Sequence, residues 1–223
     1  MHRNLDTNLS HLHEQLLTMA GYVEQALECA TAGWRLRNTT KIREVYAIET
    51  KVNESHISVD ASCLQILALQ HPLAADLRLV VSILKINTDL ERMVDLAVNI
   101  GQNTEYYLKN ESEIEVEDLS EMTDEVRVMV REVLDAFVKS DEGLANKVLE
   151  RDDKVDSFKR KIWQDTTEYM KKNPSAIEQG LNVILIAKNL ERIGDHATNI
   201  AEDVIFSMSG EDIRHAGKPG KVK

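Results

Sequence analysis

Proline is scarce in this chain of 223 residues, with three, and glycine is little commoner, with nine. Few breakers, 4% aromatic residues and abundant Leu, Ala, Glu, Lys and Val point to long helices and away from a turn-rich fold. Positive charge is in deficit: 27 Lys and Arg against 38 Asp and Glu leave a net charge of −11. That excludes a broad nucleic-acid surface, which needs clustered cations against phosphate, and suits a protein that collects cations. Long apolar runs are missing too. The run at 183–187 is stopped by Lys188, well short of a bilayer's thickness. Met1-His2-Arg3-Asn4 lacks the apolar core of a signal peptide, so the cytoplasm is the expected location, with membrane contact only through a partner. Cys29 and Cys63, the two cysteines, have no metal-type spacing and read as small buried hydrophobes. What remains, 43% hydrophobic and 29% charged, is an ordinary globular balance.

Six helical segments emerge from period and punctuation. The first, 5–36, places Leu5, Leu9, Leu12, Leu16, Met19, Val23, Ala26 and Ala30 at alternating steps of four and three, a bundle seam. Asn38-Thr39-Thr40 offers a cap for a second helix over 40–69. Pro72 is expected in the first turn of a third, over 72–108, where its missing donor is harmless. An acidic connector at 110–118 follows. A fourth helix covers 118–140 with Leu119, Val126, Val130, Val133 and Phe137 in register. Ser140 or Asp141 caps a fifth that runs to 172, and Pro174 opens a sixth that ends near 209. The Gly- and Lys-rich tail from 210 to 223 has no period and is expected to fray.

Internal similarity organises these segments. Residues 87–100 lie over 187–200 at a constant offset of 100, with Leu, Glu, Arg, Asp, Ala, Asn and Ile coinciding. The second and fifth helices align less tightly, at an offset near 103, setting Glu49 and Asn53 over Asp152 and Asp156. The expected fold class is all-α, a tandem repeat of two antiparallel three-helix bundles: 1–110, 111–209 and a flexible tail, 210–223.

The third helix carries two apolar rows. One runs Leu79, Ile83, Ile86, Leu90, Met93, Ala97 and Ile100. The other runs Leu77, Val81, Leu84 and Thr88 into Glu91 and Asp95, then Val98. The sixth repeats the oddity: Ile177, Leu181 and Ile184 lead through Lys188 to Glu191 and Asp195. An isolated acidic pair at this spacing is ordinarily a solvated face. Recurrence at equivalent places within apolar rows is not ordinary, because like charges four apart repel by about 0.2–0.5 kcal/mol and partial burial adds several kcal/mol more. Arg92 and Arg192 stand about 100° around the helix and are expected to reach only part of each site. A bound cation is the stronger counterion. Asp152 and Asp156 follow Ala145 and Leu149 in the fifth helix, so the second half offers Asp152, Asp156, Glu191 and Asp195 together, and the first half Glu49, Asn53, Glu91 and Asp95. All-oxygen ligation favours magnesium, calcium, manganese or iron, with zinc also accessible through carboxylates. His196 has Leu96 as its counterpart and reads as a surface or packing residue.

The paired Leu-Glu-Arg-x-x-Asp-x-Ala-x-Asn-Ile elements, with Gln70-His71-Pro72-Leu73-Ala74-Ala75-Asp76-Leu77-Arg78, resemble the PhoU family of bacterial phosphate-transport regulators over residues 5–208. The resemblance implies two three-helix bundles whose Glu/Asp-x-x-x-Asp elements bind metal ions on the bundle surface, through iron, zinc, manganese or magnesium. It implies a homodimer that acts beside the ATPase of the phosphate ABC transporter and the phosphate sensor histidine kinase. By position it marks Glu91, Asp95, Glu191, Asp195, Asp152 and Asp156. Glu49 and Asn53 depart from the pattern: Asn53 keeps an oxygen donor but loses a charge, so the first repeat is expected to bind more weakly. Asn99 and Asn199 match the pattern as further weak donors.

Functionally, the residues contain no Gly-rich phosphate loop and no nucleophile beside a base. A non-enzymatic regulator is therefore expected. Alternatives are a PhoU-like accessory protein of a low-affinity phosphate transporter and a carboxylate-bridged metalloenzyme. The latter lacks the Glu-x-x-His pairs of di-iron bundles.

Overall fold

A computed structural model describes residues 2–109, 114 and 116–214. These residues form α1 (His2–Arg35), α2 (Thr39–Gln70), α3 (Ala74–Leu108), α4 (Glu117–Lys139), α5 (Glu142–Lys172), a 3₁₀ turn (Pro174–Ala176) and α6 (Ile177–Ser209), with no strand among them. Each run of three helices packs pairwise into a bundle. The two bundles join along α3 and α6, with α1 and α4 touching at the flank. The tandem three-helix architecture expected from the repeat is the one found.

The seams read from the sequence are core. Leu12, Leu16, Met19, Val23, Ala26 and Ala30 of α1 are buried, as are Leu119, Val126, Val130, Val133 and Phe137 of α4. Burying a Leu or Val side chain of this kind contributes about 1.5–3 kcal/mol. Ile42 of α2 shows how closely the first bundle packs. A Cβ on Gly33 of α1 would stand 2.6 Å from Ile42 Cγ1, and one on Gly101 of α3 would stand 2.9 Å from its Cγ2. Two glycines on neighbouring helices thus leave the space that one isoleucine fills.

Helix ends follow local chemistry, with two departures from expectation. Asn38 caps α2, its side chain accepting from the amides of Thr40 and Lys41. Asp141 caps α5 by accepting from the Leu144 amide at 2.9 Å, while Ser140 ends α4 in the left-handed region at φ 48°. Pro72 is not in the first turn of α3. It precedes the N-cap, Leu73, and α3 starts at Ala74. A residue before proline is biased away from helical geometry, and His71 instead closes α2 at φ 47°. Pro174 occupies the first position of the 3₁₀ turn that leads into α6.

The connector is not uniformly polar. Residues 110–113 and 115 lie outside the described set, but Ile114 is buried and its backbone exchanges hydrogen bonds with the Tyr107 hydroxyl. The start of the tail is likewise engaged. Gly210 ends α6 at φ 78°, Ile213 packs on the core and Arg214 pairs with buried Asp203. The fraying expected further on falls on residues outside the described set.

The two rows of α3 have different fates. The first is core from Ile83 to Ile100, with Leu79 half-buried at its start. The second is a rim: Leu77 and Thr88 are exposed, Val81, Leu84, Glu91 and Asp95 are half-buried, and Val98 alone is buried. The acidic pairs therefore sit where a helix meets both a neighbour and water.

Candidate metal centres on the bundle rims

In the second repeat, α5 and α6 lie side by side and bring Asp152 and Asp156 towards Glu191 and Asp195. The carboxyl of Asp195 is pushed up to about 6, first by crowding from surrounding protein, then by the negative charges of Glu191, Asp152 and Asp156, with Lys159 opposing. Those four acids are thus close enough to feel one another, as the sequence pattern requires. Lys159, one turn beyond Asp156, places Nζ 2.6 Å from Glu191 Oε1. Arg160 is 3.9 Å from Asp156.

In the first repeat, Glu49 of α2 faces Glu91 and Asp95 of α3. Its carboxyl is raised, by partial burial first and then by Asp95 and Glu91. Asn53, one turn on, is exposed. Here the countercharge is Arg92, whose Nε lies 3.3 Å from Glu91 and whose Nη1 lies 3.1 Å from Asp95. Arg92 thus serves part of the site: a long side chain folded along its own helix spans Glu91 and Asp95, its neighbours at i−1 and i+3. Arg192, its counterpart, is exposed, and among the described residues the ion partner of Glu191 is Lys159 instead.

The remaining sequence candidates separate. Asn99 is half-buried, and its carbonyl accepts from Asn103. Asn199 turns to the other repeat, donating to Asp89 of α3 at 3.3 Å. His196 does the same, with Nδ1 2.7 Å from Asp89 Oδ1. It is a packing histidine with a polar partner at the α3–α6 seam. Both cysteines are buried, and burial pushes their thiols up, to about 11 at Cys29 and about 12 at Cys63.

Sequence reasoning missed several charged groups that shape these surfaces. Glu125 of α4 is buried and held by Arg151 and Lys154 of α5, with Arg151 also gripping Glu132. Burial pushes the Glu125 carboxyl up, but hydrogen bonds from Lys154 and Arg151 outweigh it and leave it below the ordinary range. Glu125 occupies a slot in the apolar row of α4 between Met122 and Met129, the one signal available in the sequence. Asn87 of α3 is fully buried and donates to the His56 carbonyl and to Asp60. Beside the second acidic set lies a groove of about 500 Å³ lined by Lys159, Trp163, Ile184, Ala187 and Lys188, among others.

The donor sets suit a hard cation: carboxylate oxygens with an amide oxygen, crowded enough to raise Asp195 and Glu49. Among the described residues no three His, Cys, Asp or Glu side chains are gathered closely enough to enclose an ion as they stand. Instead Glu91 and Asp95 are turned onto Arg92, and Glu191 onto Lys159. A metal would supply a divalent charge in place of those monovalent ones.

The fold defines an all-helical tandem-repeat protein with an acidic rim on each repeat, and among the described residues no helix is long and apolar enough to cross a membrane. The family model described as the PhoU domain matches residues 16–104 and again 119–204. The chain belongs to the PhoU family. It is 34% identical to the phosphate-specific transport system accessory protein PhoU homolog of Pseudomonas putida, across 96% of this chain and 84% of that protein. It is 35% identical to the homolog of Pseudomonas aeruginosa, across 96% and 89%. The crystal structure of PhoU from Pseudomonas aeruginosa superposes with a TM-score of 0.90 at 34% identity, covering 92% of this chain and 99% of that one. These relatives are named as transport accessory proteins, not enzymes.

Proposed function

We propose that this chain is a non-enzymatic regulator of phosphate uptake, a cation-bearing helical scaffold that acts between the ATPase of a phosphate ABC transporter and a phosphate sensor histidine kinase. The observation that carries the reading is the match along nearly the whole chain to accessory proteins of phosphate-specific transport.

Asp152, Asp156, Glu191 and Asp195 would hold a cation in the second repeat, and Glu49, Glu91 and Asp95 a weaker one in the first, with Asn53 as a neutral donor. Iron, zinc, manganese and magnesium all accept such oxygen sets. A bound metal with an open position would accept a phosphate oxygen. Its charge would also relieve the repulsion within each rim. A homodimer belongs to the same reading, and light scattering should then return twice the chain mass of 25.3 kDa.

The test is a pull-down. The tagged chain, immobilised, should retain the transporter ATPase, and retention should differ between phosphate-rich and phosphate-free buffer. Failure to retain the ATPase under both conditions would sink the reading.

A further inference from the structure

The crease between the second and third helices is built differently in the two repeats. In the first, fully buried Asn87 of α3 bridges to α2, donating to the His56 carbonyl at 3.0 Å and to Asp60 at 2.8 Å. His56 Nε2 stands 3.6 Å from the other oxygen of Asp60. Those three residues tie the two helices together. The aligned positions in the second repeat are Lys159, Trp163 and Ala187. A methyl group cannot reach across to the neighbouring helix, and Trp163 is 56% exposed. Here the crease is the groove of about 500 Å³, with Trp163, Ile184 and Ala187 as its apolar lining and Lys159, Arg160 and Lys188 as its cations. Leu181, in the same row of α6 as Ile184, is 51% exposed and extends the apolar strip. The groove is therefore a property of the second repeat and not of the three-helix bundle as such.

An exposed tryptophan and leucine beside an apolar groove mark a surface that another molecule covers. The charge at its edge narrows the choice. In a chain of net charge −11 this crease gathers three cations. Lys159 is committed to Glu191, but Arg160 is only within 3.9 Å of Asp156, and exposed Lys188 has no ion partner among the described residues. We propose that the α5–α6 groove docks a helix of a partner protein, with apolar side chains at helical spacing entering between Trp163 and Ile184 and carboxylates on its flank meeting Lys188 and Arg160. Laying the apolar face of an amphipathic helix into such a groove is a recurrent mode of recognition. A bilayer is flat on this scale and is met by a convex apolar face, not by a groove. A second copy of this chain would bring a further net charge of −11 to the contact. The docking requires no metal at the acidic rims.

The test uses the full chain carrying W34F, which leaves Trp163 as the sole tryptophan and the reporter of its own groove. The probe is a synthetic amphipathic helix with Leu along one face and Glu on its flanks, and its twin carries Lys in place of Glu. The Glu peptide should shift Trp163 emission to the blue and bind about tenfold or more tightly than the Lys twin, which sets like charges together. A187L, which fills the groove, and L181Q, which removes an exposed part of the strip, should each weaken the Glu peptide by about tenfold. K188E should narrow the preference for Glu over Lys. L64Q, at an exposed leucine on α2 of the other repeat, should bind like its parent. Circular dichroism checks that each variant is folded, and L181Q and K188E alter only exposed side chains. No binding of the Glu peptide, equal binding of the twins, or undiminished binding by A187L and L181Q would overturn the proposal. So would a blue shift of Trp163 with phosphatidylglycerol vesicles and not with peptide, which would make the groove a membrane contact. A fall in molar mass by light scattering in L181Q or K188E would give the groove to a second copy and overturn it too.

Discussion

Asp89 of α3 and His196 of α6 meet at 2.7 Å across the seam between the two bundles, and Asn199, one turn beyond, reaches the same carboxylate oxygen at 3.3 Å. Both residues of the pair are largely shielded, with side-chain exposures of 15% and 18%, so the contact is not a screened surface pair. Removing Asp89 strands two donors, whereas removing His196 leaves Asn199 in place. Asp89→Ala is expected to cost about 1–2 kcal/mol in urea unfolding, more than His196→Ala. A double-mutant cycle should show a coupling of about 0.5–1.5 kcal/mol. Strict additivity would mean that the pair does not join the repeats.

The Glu125 cluster makes an ordered prediction. Arg151 contacts Glu125 and Glu132 and is one-third exposed, while Lys154 is 60% exposed. Arg151→Ala leaves two acids short of a partner and should cost about 2–4 kcal/mol. Lys154→Ala should cost about 1 kcal/mol or less, because a solvated ammonium contributes little. The folded carboxyl of Glu125 lies below its ordinary value. Its contribution to stability is therefore complete above about pH 5 and lost as pH falls through the folded value. Glu125→Gln should accordingly flatten the acid limb of the stability curve. An unchanged limb would contradict the assignment.

Glycine substitutions test the packing of the first bundle. Gly33→Ala drives a methyl to 2.6 Å from Cγ1 of fully buried Ile42, an atom with little freedom to withdraw, and should cost about 1–3 kcal/mol. Gly21→Ala, in the same helix with nothing within 4 Å of the new Cβ, should stabilise by about 0.5–1 kcal/mol. Thermal melts of the two variants should move in opposite directions.

How much of this was legible in the sequence depends on the range of the interaction. Helix period, caps and the hundred-residue offset are local or repetitive signals, and α1, α4 and the two bundles follow from them. The acidic pairs were legible because they break an apolar row twice at the same place. That the row is a rim was not, because period fixes which residues share a face but not how much of that face a neighbour covers. That Arg92 covers both acids of its own helix was not legible either, because a long side chain can fold along the helix away from the direction in which it leaves the backbone. Lys159 and the seam residues Asp89 and His196 depend on how α5 meets α6 and how α3 meets α6. Nothing in the local pattern encodes those contacts.

The raised carboxyl of Asp195 has the opposite pH signature to Glu125. Its folded value is about 6 against an ordinary 3.8. The associated stability is complete below about pH 4 and is lost as pH rises through 6. In chelator-treated protein, Asp195→Asn should therefore gain on the wild type as pH rises from 4 to 7. Because Asp195 is exposed, screening holds the gain under about 1 kcal/mol. Parallel curves for the two proteins would show that burial and the neighbouring acids do not raise the Asp195 carboxyl.

The cation sites themselves are most directly tested by elemental analysis of protein purified without chelator, comparing the wild type with Glu191→Ala/Asp195→Ala. The expected result is a wild type that carries iron, zinc, manganese or magnesium and a variant that has lost most of it while keeping its helical circular dichroism. Equal metal content in the two folded proteins would contradict the assignment of the acidic rims as metal centres.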